Sequence, residues 1–302
     1  MKKLRLGTRG SALALCQSRW VADRLEAACP GWQVELVVIQ TTGDLRKEAP
    51  MGSLGGKGVF TREIEVAMLR GEVDFAVHSL KDLPTELPEG LKLAAFPIRQ
   101  DPRDALISHG ALRDLAAGGS IGTGSLRRQF QLRAARPDLR FEPIRGNVPT
   151  RVEKWRRGEY QGVVLAMAGI RRLGMERLGL SDPEVHALPP ELCLPAPGQG
   201  ILGLQCRAGD PQTQEQLSAL SDPKAEVEAR AERAFLRKLE GGCNVPAGAL
   251  ARAEAGGLTL DAVLGSAGHD HLERVHLQGR WEEAENLGQS AAARLLATQK
   301  PA

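Results

Sequence analysis

Leu6-Gly7-Thr8-Arg9-Gly10-Ser11 near the start of the chain is echoed by Ile121-Gly122-Thr123-Gly124-Ser125 further along. In each, an apolar strand end meets a glycine turn and then a serine fit to cap a helix. Ser11 opens an amphipathic segment that runs to about Ala28 and stops at Pro30 and Gly31. A second echo follows the first. Thr61-Arg62 through Arg70-Gly71-Glu72 matches Thr150-Arg151 through Arg157-Gly158-Glu159: a helix, a glycine, then a strand, at 74–77 and 163–166. This duplication predicts an α/β protein with two similar lobes, and a cleft between them at the carboxyl ends of the strands.

Working outward, residues 34–40 (VELVVIQ) read as a buried strand, and the glycine-rich stretch 43–58 is long enough to be a functional lid. Pro189, Pro190, Pro195 and Pro197 mark a stiff connection where the chain crosses back to the first lobe. From about Pro223 a charged, alanine-rich helix leads to Gly241-Gly242. Alternating strands follow at 249–253, 258–264 and 272–279, and a last helix fills most of 281–298. The expected domains are 1–97 with 199–218, then 98–198, then a small α+β domain at 219–302.

The 302 residues, 42% hydrophobic and 25% charged, have ordinary globular composition and suffice for more than one domain. Aromatics at 4% leave little for stacking bases, and a net charge of +3 does not demand nucleic acid. No apolar run is long enough to span a bilayer, and Arg5 and Arg9 interrupt any signal-peptide core. Five cysteines without CxxC spacing argue against a disulfide framework or a structural zinc. The expectation is a cytoplasmic protein with no metal, no membrane and no nucleic-acid partner.

Two nucleotide motifs are excluded. Gly55-Gly56-Lys57-Gly58 lacks the Ser or Thr of a phosphate loop, and Gly198-Gln199-Gly200-Ile201-Leu202-Gly203 follows prolines rather than a strand. Eleven arginines crowd 127–172, and arginine suits planar recognition of carboxylate or phosphate. Arg127 and Arg128 fall in the first turn of the second lobe's helix, where cations oppose the helix dipole unless an anion neutralises them. Arg145-Gly146-Asn147, Arg151 and Arg171-Arg172 add donors nearby, so a ligand with many carboxylates is indicated. Asp82, in His78-Ser79-Leu80-Lys81-Asp82, sits at a strand end. There it either accepts a ligand N–H and stabilises a cation, or caps the Leu83-Pro84 turn. His78 is more readily read as packed. Cys243 follows two glycines, which suits a reactive or modified thiol as well as a buried one.

The strings GTRGSALAL, GGKGVF, AVHSLKDLP, DPRDALIS, GTGSLRRQ, RGNVPTR, LPAPGQG and EGGCNVP, in this order, closely resemble the porphobilinogen deaminase (hydroxymethylbilane synthase) family. The resemblance runs from about Leu4 to Pro246. It implies two lobes arranged like a type II periplasmic binding protein, plus the small third domain. It also implies a dipyrromethane cofactor held by a thioether to Cys243, acting as primer for four porphobilinogen units whose linear product, hydroxymethylbilane, is released by hydrolysis. Asp82 would be catalytic. Ser79, Lys81, Asp82, Thr123, Ser125, Arg127, Arg128 and Arg151 would bind the cofactor. Arg9, Ser11, Gln17, Arg145, Asn147, Arg151, Arg172 and Gln199 would line the substrate side, with Lys57 and Phe60 at the lid. A monomer that hands its product to uroporphyrinogen III synthase is the further expectation. Gly124 stands where serine is expected, and Gln205 where glutamate is, which leaves a cleft-side interaction open. The rival reading is a two-lobed carboxylate-binding protein without catalysis.

Overall fold

The computed structural model describes residues 2–42, 58, 61–239, 246–265 and 272–298. The chain divides into two compact units, Met1–Arg99 with Ile201–Glu226, and Gln100–Gly200 with Val227–Ala302.

In the first unit, strand β1 (Lys2–Thr8) leads into helix α1 (Ala12–Ala28), whose Ser11 cap accepts the Ala14 N–H at 3.3 Å. Strand β2 (Trp32–Val38), helix α2 (Arg62–Leu69), β3 (Phe75–Ser79) and β4 (Leu91–Ala95) follow. The chain returns much later as β10 (Leu202–Arg207). The sheet order is β2-β1-β3-β10-β4, with β1 parallel to β2 and β3, and β10 antiparallel to β3 and β4. Leu4, Leu6, Phe75, Val77 and Leu204 pack against Val21 and Leu25 of α1. Ala76 and Val73 pack with Ile64 and Met68 of α2. With both faces covered, the inner strands read as near-continuous apolar runs.

Two expectations are corrected here. The strand expected buried at 34–40 lies two residues earlier, pairs only with β1 and buries only Val34, because it is the sheet's edge. Strand β3 does not break at His78 but continues through Ser79, since Gly203 and Leu202 of β10 extend the ladder opposite His78 and Ser79.

The second unit opens with β5 (Asp104–Ser108) and β6 (Ser120–Gly122), then helix α3 (Leu126–Ala135), β7 (Arg140–Glu142), helix α4 (Val148–Arg156) and β8 (Gly162–Ala166). A short helix α5 (Met167–Leu173) precedes β9 (Val185–Ala187). The sheet order is β7-β6-β8-β5-β9, with β6 parallel to its two neighbours and β5 antiparallel to its own. That is the first lobe's sheet again, with β6 for β1, β7 for β2, β8 for β3, β5 for β10 and β9 for β4. The duplicated motifs therefore mark a duplicated lobe.

Helix α6 (Pro211–Ser218) closes the first unit's chain before α7 (Pro223–Lys238) leads to a meander of β11 (Ala247–Glu254), β12 (Gly257–Gly265) and β13 (Leu272–Arg280), and to helix α8 (Ala284–Thr298). Alternate residues Ala247, Ala249, Ala251 and Ala253, with Leu258, Leu260 and Leu264, pack against Phe235 of α7 and Leu295 of α8. The opposite face of the sheet places Leu250 and Val263 against Leu194 of the same unit.

Helix α8 approaches α7 so closely that a Cβ on Gly288 would stand 2.2 Å from the Ala231 carbonyl oxygen. Backbone cannot yield as a flexible side chain can, so Gly288→Ala is expected to cost roughly 1–3 kcal/mol or more. A lowered urea midpoint for that variant checks it.

Candidate functional site

The first lobe gathers its polar residues where β1 and β3 end. A cavity of about 90 Å³, room for a carboxylate-sized group or a few waters, is lined by Arg9, Ser11, Gln17, Ser79 and Asp82 together with Leu13, Thr61 and His78. Five of the residues nominated from sequence thus share one concavity. Gln17 is buried on the first turns of α1 and donates to the Ser79 hydroxyl at 2.9 Å. Asp82 ends a single helical turn, Leu80–Asp82, that follows β3, and is exposed. Lys81, in the same turn, is half-buried. Arg9 and the α1 N-terminus make one side of the cavity positive, and Asp82 makes another negative.

Behind the cavity lies a buried polar chain. The Gln205 amide donates to Glu65 at 3.1 Å, and its oxygen meets His78 Nε2 at 2.8 Å. Burial outweighs this hydrogen bond and lowers the His78 pKa from 6.5 to about 4, so the ring is neutral at neutral pH. Gln205 was expected on the cleft side; it lies fully buried in the sheet instead, because β10 places it on the face covered by α2.

In the second lobe the equivalent turn is built differently. Arg127 and Arg128 are buried in the first turn of α3, and both hold Asp104, itself fully buried. Arg127 Nη1 meets Asp104 Oδ2 at 2.7 Å and donates to the Leu194 carbonyl. Arg128 reaches Oδ1 through Nη2 at 2.7 Å and Nε at 3.1 Å, and donates to the Val164 carbonyl. Burial pushes the Asp104 carboxyl up, but the two guanidiniums outweigh it and hold it far below the usual range. The sequence argument that these arginines need an anion holds, and one such anion belongs to the protein itself: Asp104. Gln199, expected on the substrate side, is buried and gives its amide nitrogen to Asp104 at 3.0 Å and to the Pro102 carbonyl at 2.7 Å.

Thr123 is buried and accepts the Ser125 N–H at 3.2 Å. Ser125 occupies the cap of α3, yet its side chain makes no cap hydrogen bond. Asn147 caps α4, accepting the Thr150 N–H at 3.0 Å, and Arg151 Nε donates to the Gly146 carbonyl. Arg172 donates to the Gly200 carbonyl. Arg145 is exposed, with no hydrogen bond or ion pair among the described residues. Cys243, Lys57 and Phe60, and nearly all of the expected lid, lie outside the described residues. Of the other thiols, Cys193 and Cys206 are pushed by burial up to about 12 and about 11, which suits inert packing.

The family described as "Porphobilinogen deaminase, dipyromethane cofactor binding domain" matches residues 4–215, and "Porphobilinogen deaminase, C-terminal domain" matches residues 227–297. A porphobilinogen deaminase of Syntrophus aciditrophicus is 48% identical over 97% of this chain and 95% of its own. One of Geobacter sulfurreducens is 46% identical over 98% and 92%. A solved arginine-specific periplasmic binding protein of Salmonella typhimurium has a TM-score of 0.41 at 14% identity, over 79% of this chain and 98% of that one.

Two outcomes follow from the buried groups. Asp104→Asn leaves two buried guanidiniums without their carboxylate, and a loss of about 3–5 kcal/mol in urea unfolding is expected. Between pH 6.5 and 4 the unfolded chain takes up a proton at His78 that the folded one refuses. Its contribution, complete above pH 6.5, falls by about 3 kcal/mol as pH drops toward 4. His78→Gln, with nothing to titrate there, is expected to lose that slope when unfolding free energy is measured against pH.

Proposed function

The chain belongs to the porphobilinogen deaminase family, and from that premise we propose that Asp82 carries its chemistry and Cys243 its cofactor. The activity is that of a transferase: porphobilinogen units lose ammonia and are joined head to tail on a covalent dipyrromethane primer. Four units add, and hydrolysis releases hydroxymethylbilane. The reading as a non-catalytic carboxylate binder is not retained, since both matched domains are those of an enzyme.

When bound, the dipyrromethane would supply the terminal pyrrole carbon to which the first incoming unit is joined. The donor set suits its carboxylates. Helix α3 begins without a side-chain cap, so its first N–H groups and the Ser125 hydroxyl are open to an anion, whereas α1 and α4 are capped by Ser11 and Asn147. Thr123, Ser125 and Arg151 would hold carboxylates on the second lobe, and Ser79 and Lys81 would hold carboxylates on the first. Among the described residues Arg127 is engaged through Nη1 only, which leaves Nε and Nη2 for a carboxylate. Arg128 is committed through all three nitrogens and serves mainly to fix Asp104.

On the substrate side, Arg9, Ser11 and Gln17 would take a carboxylate at the start of α1, with Arg145, Arg151 and Arg172 binding further carboxylates. Asn147 caps the helix that carries Arg151, and Gln199 gives its amide to Asp104 and the Pro102 carbonyl. Asp82 has two tasks. It accepts the pyrrole N–H, and its charge offsets the cation left when the C–N bond breaks and ammonia departs with the electron pair. What supports this reading above all is the single cavity that joins Asp82 to Arg9, Ser11, Gln17 and Ser79. No described helix is long and apolar enough to cross a membrane. We place the enzyme in the cytoplasm as a monomer, passing its product to uroporphyrinogen III synthase.

The test is an intact mass beside an activity assay. Wild-type chain incubated with porphobilinogen should be heavier by two linked pyrroles, and Cys243→Ser should not; an equal adduct on both would move the attachment elsewhere. Asp82→Asn should keep its melting temperature and lose about 10²–10⁴ in turnover. Turnover near wild type would remove Asp82 from the mechanism.

A further inference from the structure

The hydrogen-bond chain behind the cavity fixes which nitrogen of His78 carries the proton. The Gln205 amide nitrogen is the end that donates to Glu65 Oε1, at 3.1 Å. The Gln205 oxygen is then the end that faces His78 Nε2 at 2.8 Å, and an amide oxygen can only accept. His78 is therefore the Nε2–H tautomer, and Nδ1 keeps a bare lone pair. No described residue hydrogen-bonds to that nitrogen. His78 is 7% exposed; its Nε2 edge ends on the fully buried Gln205, and His78 is among the residues lining the cavity that Asp82 also lines.

The cavity is thus two-sided. Arg9 and the N-terminus of α1 suit a carboxylate, while Asp82 and the His78 lone pair suit a donor, best a cationic one. We propose that His78 is a substrate-binding residue whose Nδ1 accepts a hydrogen bond from the ammonium group of the incoming pyrrole. The assignment rests on the deaminase reading of the same cavity. It also has a chemical consequence. A ring that takes a proton only near pH 4 does not strip one from an alkylammonium, whose ordinary pKa is about 10. The group stays –NH₃⁺, the form in which nitrogen leaves as neutral NH₃ when the C–N bond breaks with its electron pair.

The experiment separates the two nitrogens. In His78→Gln the amide nitrogen can keep the donation to Gln205, and the acceptor at Nδ1 is gone. In His78→Asn the oxygen takes the place of Nδ1. With cofactor-loaded enzyme, His78→Gln should raise KM for porphobilinogen roughly 10- to 100-fold. It should leave unchanged the inhibition by the analogue bearing methyl in place of aminomethyl. His78→Asn should recover most of the loss. A His78→Gln enzyme that binds both compounds as wild type does, or loses both equally, overturns the assignment. Nitrogen-15 NMR of the wild-type protein tests it independently of any variant: a proton found on Nδ1 overturns it as well. Absence of turnover in the wild type would instead remove the deaminase reading itself, so the two failures are distinguishable.

Discussion

The Asp104 carboxylate is fully buried yet charged, and the second unit is organised around that fact. A lone buried carboxylate costs several kcal/mol, so it persists only where cations and donors surround it. Those partners come from three places: Arg127 and Arg128 from the start of α3, Gln199 from the loop before β10, and the thiol of Cys193 from the proline-rich connection. One side chain on β5 therefore ties a helix and two loops to a sheet strand. The chain of contacts goes further. The buried carboxylate of Glu232, on α7, accepts the Gly198 and Ala251 N–H groups, so the same loop is pinned to the C-terminal sheet. Segment 193–200 is held by charges at both ends, which explains how a stretch with little regular structure is positioned.

What was legible in the sequence divides along the range of the interactions concerned. Helix α1 lies where Ser11 and the Pro30-Gly31 stop predict it, because a cap is a contact over three residues. The duplicated turn and the duplicated helix–glycine–strand pattern gave the two lobes for the same reason. Strand β2 was read as buried from its apolar run, but whether a strand is central or at an edge depends on pairings that no local pattern records. Strand β3 runs on to Ser79 only because β10, more than a hundred residues later, pairs with it.

The site shows the same division. Arg9, Ser11, Gln17, Ser79 and Asp82, assigned from sequence to two different ligands, share one cavity because they lie at or beyond the carboxyl ends of two adjacent parallel strands. The helix-dipole argument at Arg127 and Arg128 was sound about the need for an anion but did not foresee that Asp104 of the protein supplies one. Asp104 lies 23 residues before Arg127, inside the quoted motif DPRDALIS, but nothing in that string reveals that its side chain points into the α3 turn. Gln199 and Gln205 were misread in the same way. Each makes its defining bond across about a hundred residues of sequence, to Asp104, His78 or Glu65.

Matched by sheet order, the two lobes show why one kind of fold yields two kinds of turn. Counting from the caps Ser11 and Ser125, Leu13 and Ala14 in the first lobe correspond to Arg127 and Arg128 in the second. Opposite the end of β3, Leu202 pairs with Ser79; opposite the end of β8, Asp104 pairs with Ala166. Two apolar positions and a leucine have thus been exchanged for two guanidiniums and a carboxylate. In the first lobe the small side chain of Ala14 leaves a cavity against the strand ends, open to Arg9 and Asp82. In the second the arginines extend beneath the turn to Asp104, so the space is occupied and the helix start is left as a surface of N–H groups and a hydroxyl. The first arrangement can enclose a group, whereas the second can only present donors to one. A shared backbone carries both because the difference lies in three side chains, the adjacent pair Arg127 and Arg128 and the distant Asp104.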